Sequence, residues 1–165
     1  MAKEYKDLGN YHFQQKDYPK AIAKWARVAL FTKPLLPAAA DADQVVGMIN
    51  RSKVPEELAS EASELQATTL LNMAQAFYVQ KKYDKAAEKS TQSLALNKSV
   101  KGYYRRGKAF AMMEDFERAC EDLRRAIQMD ESDPNNFAQE LKVFEARAKA
   151  AEKERNKKMS GFLLK

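Results

Sequence analysis

Three short segments obey one spacing rule, and that rule leaves few folds open to the chain. Tyr83-Asp84-Lys85-Ala86-Ala87 recurs as Phe116-Glu117-Arg118-Ala119-Cys120, with Ala86 and Ala119 33 positions apart. An earlier copy is Tyr18-Pro19-Lys20-Ala21-Ile22. In each copy an aromatic residue stands three places before an alanine. Another small residue, Gly9, Ala74 or Gly107, stands 12 places before that alanine. Small residues at matched positions let two helices approach closely, and the aromatic can fill the wedge between neighbouring hairpins. Self-similarity at a period of this length marks a stack of supersecondary units, each burying its apolar face on the next.

The composition agrees with helices. The 165 residues include only five Gly and five Pro, while good helix formers are plentiful. The pattern predicts first helices over about 3–15, 56–80 and 100–113. Second helices are predicted over about 19–32, 84–96 and 116–129. Pro19 suits a first helical turn, and Asp133 before Pro134 reads as a helix N-cap. The first two alanines, Ala21 and Ala86, lie 65 positions apart. That is about 31 more than one period. The excess falls at 33–55, read as an extended loop holding one short helix near 39–49, with longer flanking helices. After the third unit, Phe137, Leu141, Phe144, Ala148 and Ala151 recur at steps of three and four, an apolar stripe on one helix face. An open stack end needs a cap, and this helix is expected to supply it.

These hairpins resemble the tetratricopeptide repeat (TPR). The implied fold is all-α, a right-handed superhelical stack of three hairpins (about 3–32, 56–97 and 100–130) with an insertion between repeats one and two. Residues 134–165 form a long C-terminal capping helix and basic tail. One domain is expected from the length.

Several function classes are disfavoured. His12 is the only histidine and Cys120 the only cysteine, too few for a His/Cys zinc site, so no metal or cofactor is expected. His12 falls at a packing position rather than in a catalytic triad. No Gly-rich phosphate loop or nucleophile elbow occurs, and the chain reads as non-catalytic. A lone cysteine fits a reducing compartment. The opening Met1-Ala2-Lys3-Glu4 has no apolar run, so no signal peptide is expected. No apolar run is long enough to cross a membrane. The formal charge of +6 and pI of about 9.3 could suit nucleic acid. Acids interleave with the bases and few exposed aromatics are expected, which argues against it.

Two polar pairs stand on the predicted first helices: Lys6 with Asn10, and Lys101 with Arg105. Residues at i and i+4 share a helix face, so stacked repeats could converge these pairs on one wall able to hold a carboxylate. Lys101 and Arg105 repel each other by about 0.2–0.5 kcal/mol, a sign that an anion between them would reverse. Asn72, inside a helix where asparagine is mildly unfavourable, is a third candidate.

Here the resemblance sharpens to TPR domains of co-chaperones, most of all the large immunophilins of the cyclophilin and FK506-binding kinds. In that family a five-residue carboxylate clamp holds the Glu-Glu-Val-Asp C-terminus of heat-shock protein 90 or 70. Lys6 and Asn10, within Lys6-Asp7-Leu8-Gly9-Asn10, match its first pair. Asn72, in Leu70-Leu71-Asn72-Met73-Ala74, matches the second-repeat asparagine. Lys101 and Arg105, in Lys101-Gly102-Tyr103-Tyr104-Arg105, match the third-repeat pair. Phe13 resembles the aromatic that packs on the ligand's valine. The resemblance implies a cytoplasmic co-chaperone adaptor with no enzymatic site of its own. A prolyl isomerase domain upstream in a longer protein and a stand-alone adaptor are both compatible with it. Charge-assisted hydrogen bonds to a terminal carboxylate contribute about 1.5–3 kcal/mol each. The insertion leaves the separation of Asn10 from Asn72 open. Lys153, Arg155, Lys157 and Lys158, followed by Met159, Phe162, Leu163 and Leu164, form a basic tail. In immunophilins a comparable tail is linked to calmodulin and chaperone contact; the blander reading is a basic helix end. Trp25, Tyr18, Tyr83, Phe116 and Cys120 read as packing residues. The remaining alternative is a TPR scaffold that binds an internal segment of another protein without a clamp.

Overall fold

The computed structural model describes residues 1–36, 54–130 and 136–163. Among these, seven α-helices appear: α1 (Ala2–Gln14), α2 (Tyr18–Thr32), α3 (Glu56–Val79), α4 (Tyr83–Leu96), α5 (Val100–Met112), α6 (Phe116–Met129) and α7 (Phe137–Leu163). A 3-10 turn, Lys33–Leu35, follows α2. The bounds lie within a residue or so of those the repeat pattern predicts. The short helix expected near 39–49 and the Asp133 cap lie outside the described residues. None of the described helices is long and apolar enough to cross a membrane.

The helices pair as α1–α2, α3–α4 and α5–α6, and each pair packs on the next. The three turns close alike. Lys16, Lys81 and Glu114 adopt left-handed backbone with φ near 60° (60°, 61° and 62°). The next amide donates back across the turn: Asp17 to His12, Lys82 to Phe77 and Asp115 to Phe110, at 2.9, 2.9 and 3.0 Å. This closure satisfies the last carbonyls of each first helix and lets the chain reverse within three residues.

The small residues do what their spacing implies. Ala21, Ala86 and Ala119 are 0, 1 and 0% exposed, and Gly9 and Gly107 are buried. A β-carbon added at Gly9 would stand 2.3 Å from the Trp25 ring. Trp25 has little room to retreat. It is 2% exposed, its Nε1 donates to the Lys6 carbonyl at 3.1 Å, and Phe13 lies against its ring at 5.8 Å. Around it, Ala21, Met73 and Ala76 form the core joining the first hairpin to α3. Ala86, Ala87 and Ala109 join the second hairpin to α5.

Helix α7 caps the stack through Phe144, buried among Ala119, Cys120 and Leu123, and Phe137, whose ring lies 4.6 Å from that of Tyr104. An Arg124–Glu145 ion pair at 2.7 Å adds to the contact. The apolar stripe ends early: Ala148 is half-buried and Ala151 exposed. With 14 residues against 27, α6 is about 20 Å shorter than α7, so the far end of α7 overhangs its support. Tyr18, Tyr83 and Phe116 pack as expected, against Phe13, Tyr78 and Phe144. Burial also pushes the Cys120 thiol above its ordinary pKa, which disfavours the reactive thiolate.

Two predictions follow from these contacts. Gly9→Ala gains about 1 kcal/mol of helix propensity but drives a methyl group into a ring that cannot move, an overpacking cost of about 1–3 kcal/mol. Urea denaturation is expected to show a net loss. The second concerns caps. Asp17 and Asp115 accept from the backbone amides of Lys20 and Arg118, both at 3.2 Å. Hydrogen bonds from the Lys20 and Arg118 side chains hold both carboxyls below the ordinary value of 3.8. Their contribution is therefore present above that pH and fades as pH falls below it. The second hairpin has Lys82 at this position, with no cap bond and a positive charge at the positive end of the helix dipole. Lys82→Asp is expected to stabilise the fold by about 0.5–1 kcal/mol, read as a raised urea midpoint at pH 7 whose gain shrinks as pH falls below 3.8.

Candidate functional site

Because hairpins stack in register, α1, α3 and α5 lie side by side, and residues at matching turns of these first helices face a common groove. Two cavities occupy it. The smaller, of roughly 260 Å³, is lined by Asn10, Phe13, Gln14, Trp25, Asn72, Gln75 and Arg105. The larger, of roughly 680 Å³, has Lys101, Arg105, Lys108, Gln75, Tyr78 and Tyr104 on its polar side. Ala74, Val100, Asp130 and Phe137 complete its wall. Gln75 and Arg105 line both, so the cavities adjoin.

The structure therefore brings Asn10, Asn72, Arg105 and Phe13 into one cavity and puts Lys101 in the next. The separation left open by the insertion is short: the Asn72 amide donates to the Asn10 side-chain oxygen at 3.1 Å. This bond fixes both amides while leaving N–H donors on each for a ligand. Lys6 lines neither cavity. It sits one turn before Asn10 on the same face of α1, half-buried. Sequence reasoning passed over Gln75, Tyr78, Tyr104 and Lys108. The signal for Tyr104 and Lys108 was present, since they continue the Lys101–Arg105 face at i+3 and i+7.

Arg105 and Arg106 are neighbours with opposite circumstances. Arg106 makes a two-pronged pair with Asp122, at 2.8 and 2.7 Å. That bonding, against some loss of hydration, raises its pKa. Among the described residues Arg105 donates only to the Leu71 carbonyl, and burial lowers its pKa. It makes no ion pair among the described residues, and neither do Lys6, Lys101 and Lys108, whereas Arg118, Arg124 and Lys20 do. The groove wall thus carries several cations that form no ion pair among the described residues, one of them partly stripped of water. Such a wall favours an anion, above all a planar carboxylate that can take two parallel bonds from a guanidinium.

The fold is a TPR stack, three hairpins with a capping helix, whose first helices line a basic groove. No protein-family model matches the chain. Among solved structures it is similar to the first TPR of Spaghetti (RPAP3) bound to the HSP90 peptide SRMEEVD. The identity is 24% and the TM-score 0.64, over 90% of this chain and 93% of that one. It is also similar to the C-terminal TPR-containing domain of a Plasmodium falciparum FK506-binding protein, at 21% identity and a TM-score of 0.67, over 92% and 91%. A third is the TPR2B domain of yeast Sti1 in complex with pHsp70, at 18% identity and a TM-score of 0.58, over 91% and 97%.

The contrast between the two arginines is testable by stability alone. Arg106→Met leaves the Asp122 carboxylate, 3% exposed, buried without its partner, and is expected to cost about 3 kcal/mol. Arg105→Met removes a half-desolvated charge with no counterion and is expected to change stability by less than about 1 kcal/mol. Chemical denaturation of the two variants compares them directly.

Proposed function

We propose that this chain is a co-chaperone adaptor module that binds the C-terminal Glu-Glu-Val-Asp tail of heat-shock protein 90 or 70 through a carboxylate clamp. The clamp residues are Lys6, Asn10, Asn72, Lys101 and Arg105, with Phe13 packing against the ligand's valine. The observation that carries this reading is the half-buried Arg105 guanidinium, without a carboxylate partner, where the two cavities meet.

In this reading the terminal α-carboxylate accepts from Lys6, Asn10 and Asn72 near the smaller cavity. Lys101 and Arg105 serve the terminal aspartate side chain and the ligand backbone, and the peptide runs on into the larger cavity. Two of the similar solved structures are complexes, one with an HSP90 peptide and one with pHsp70, which supports the choice of ligand. A role on such tails would be non-catalytic and cytoplasmic. The basic tail enters less readily as a calmodulin site, since Arg155 faces Glu117 at 3.8 Å and Lys157 also makes an interaction.

Calorimetric titration with a Met-Glu-Glu-Val-Asp peptide tests the proposal, using free acid and C-terminal amide against wild type and Lys101→Ala. The free acid is expected to bind near the micromolar range, about −8 kcal/mol. Amidation should abolish binding and the substitution should weaken it about tenfold to a hundredfold. Equal binding of acid and amide would instead make the chain a scaffold for internal segments.

A further inference from the structure

The clamp leaves most of the larger cavity unexplained. Its wall carries a second basic centre, Lys108, seven residues beyond Lys101 on α5. The Lys108 ammonium lies 5.3 Å from the centre of the Tyr104 ring and 5.8 Å from that of Tyr78. Burial works against its charge, but contacts with Tyr104 and Tyr78 outweigh burial and raise its pKa. Glu140 of α7 contributes to its field, yet Lys108 forms no ion pair among the described residues. Two aromatic faces thus position a half-buried ammonium at the cavity wall, where it is oriented but not neutralised.

Resting on the reading above, we propose that Lys108, held between Tyr78 and Tyr104, is a second anion-recognition point. It selects an acidic side chain two to three residues upstream of the ligand's C-terminal residue. The spacing carries the register. Seven helical residues separate Lys101 from Lys108, a rise of about 10 Å. An extended peptide advances about 3.3 Å per residue, so a chain anchored at Lys101 and Arg105 reaches Lys108 within about three residues. The tyrosine faces and Phe137 offer apolar surface to the methylenes of a glutamate, whose carboxylate then meets the ammonium.

The test is a set of free-acid peptides ending Glu-Glu-Val-Asp, with each glutamate singly replaced by glutamine. They are titrated into wild type, Lys108→Met and Lys108→Arg. Methionine keeps the apolar stem and removes the charge. For wild type, one glutamine replacement should weaken binding about tenfold. Lys108→Met should weaken the parent peptide to a similar degree, erase the glutamate–glutamine difference, and keep the free-acid requirement. Lys108→Arg should restore the difference. Overlapping circular dichroism spectra and melting curves ensure that the variants compared are folded. If glutamate remains preferred by the same factor in Lys108→Met, Lys108 does not read that side chain and the inference is wrong. If wild type binds acid and amide alike, the clamp reading fails as well. Failure at Lys108 alone leaves acid-versus-amide discrimination intact, which separates the two.

Discussion

Everything in this structure depends on how closely two helices approach inside a hairpin. At Gly9 the backbone of α1 comes so near the Trp25 ring that no side chain fits between, and the indole is pinned to the Lys6 carbonyl in the same turn. Gly107 repeats the approach in the third hairpin, with Leu123 as the neighbour. A hairpin closed this tightly behaves as a rigid wedge. Stacked wedges fix where each first helix lies, so Asn10, Asn72 and Arg105, 62 and 33 residues apart in sequence, face one cavity. The packing contact and the candidate binding residue are adjacent in sequence: Gly9 precedes Asn10, and the carbonyl that accepts from Trp25 belongs to Lys6, four residues before Asn10.

That rigidity has an electrostatic consequence. Packed helices cannot rearrange to give Arg105 a carboxylate, so it keeps its charge half-buried with only a backbone carbonyl as partner. One residue later the same helix points Arg106 at Asp122, which belongs to the hairpin's own second helix. The two side chains therefore divide the work. Arg106 ties α5 to α6, and Arg105 is left toward the groove. A half-buried charge that lacks a carboxylate partner among the described residues and lies in a cleft is most economically explained by a ligand. Its pKa, lowered by burial alone, expresses the same imbalance.

The sequence carried much of this. Six helix bounds could be read because the small residues recur 12 apart and the turn follows the same offset each time. The hairpin turns were less legible. Lys16, Lys81 and Glu114 adopt left-handed backbone without being glycine, so nothing in their identity marks them; the repeated closure of the turn imposes it. The cap position is Asp17, Lys82 and Asp115 in the three hairpins, and Lys82 obscures the rule. The groove was half legible. Clamp candidates stood out as polar pairs on a helix face, but Tyr78 and Tyr104 looked like any core aromatics. Only the stack shows that they border a cavity, since a tyrosine on a first helix can face the next hairpin or the groove at the cost of one helical step. Ala151 misled for a related reason. Its place in the apolar stripe was correct, but it borders an open cavity between α7 and the turn before α6, beside Met113 and Phe116.

The groove also shows why net charge is a weak guide to partners here. A formal +6 spread over interleaved acids and bases would steer many anions alike. What narrows the choice is the pairing pattern. Lys20, Arg118 and Arg124 meet carboxylates on their own or the next helix, which consumes their charge locally. Lys101, Arg105 and Lys108 occupy successive turns of one face of α5 with none. Three like charges in a row destabilise that face by a few tenths of a kcal/mol per close pair. An extended chain with carboxylates at a matching interval removes that repulsion at every step. A compact phosphate could neutralise one turn only. The spacing of unpaired cations, more than their number, favours an extended ligand with several acids.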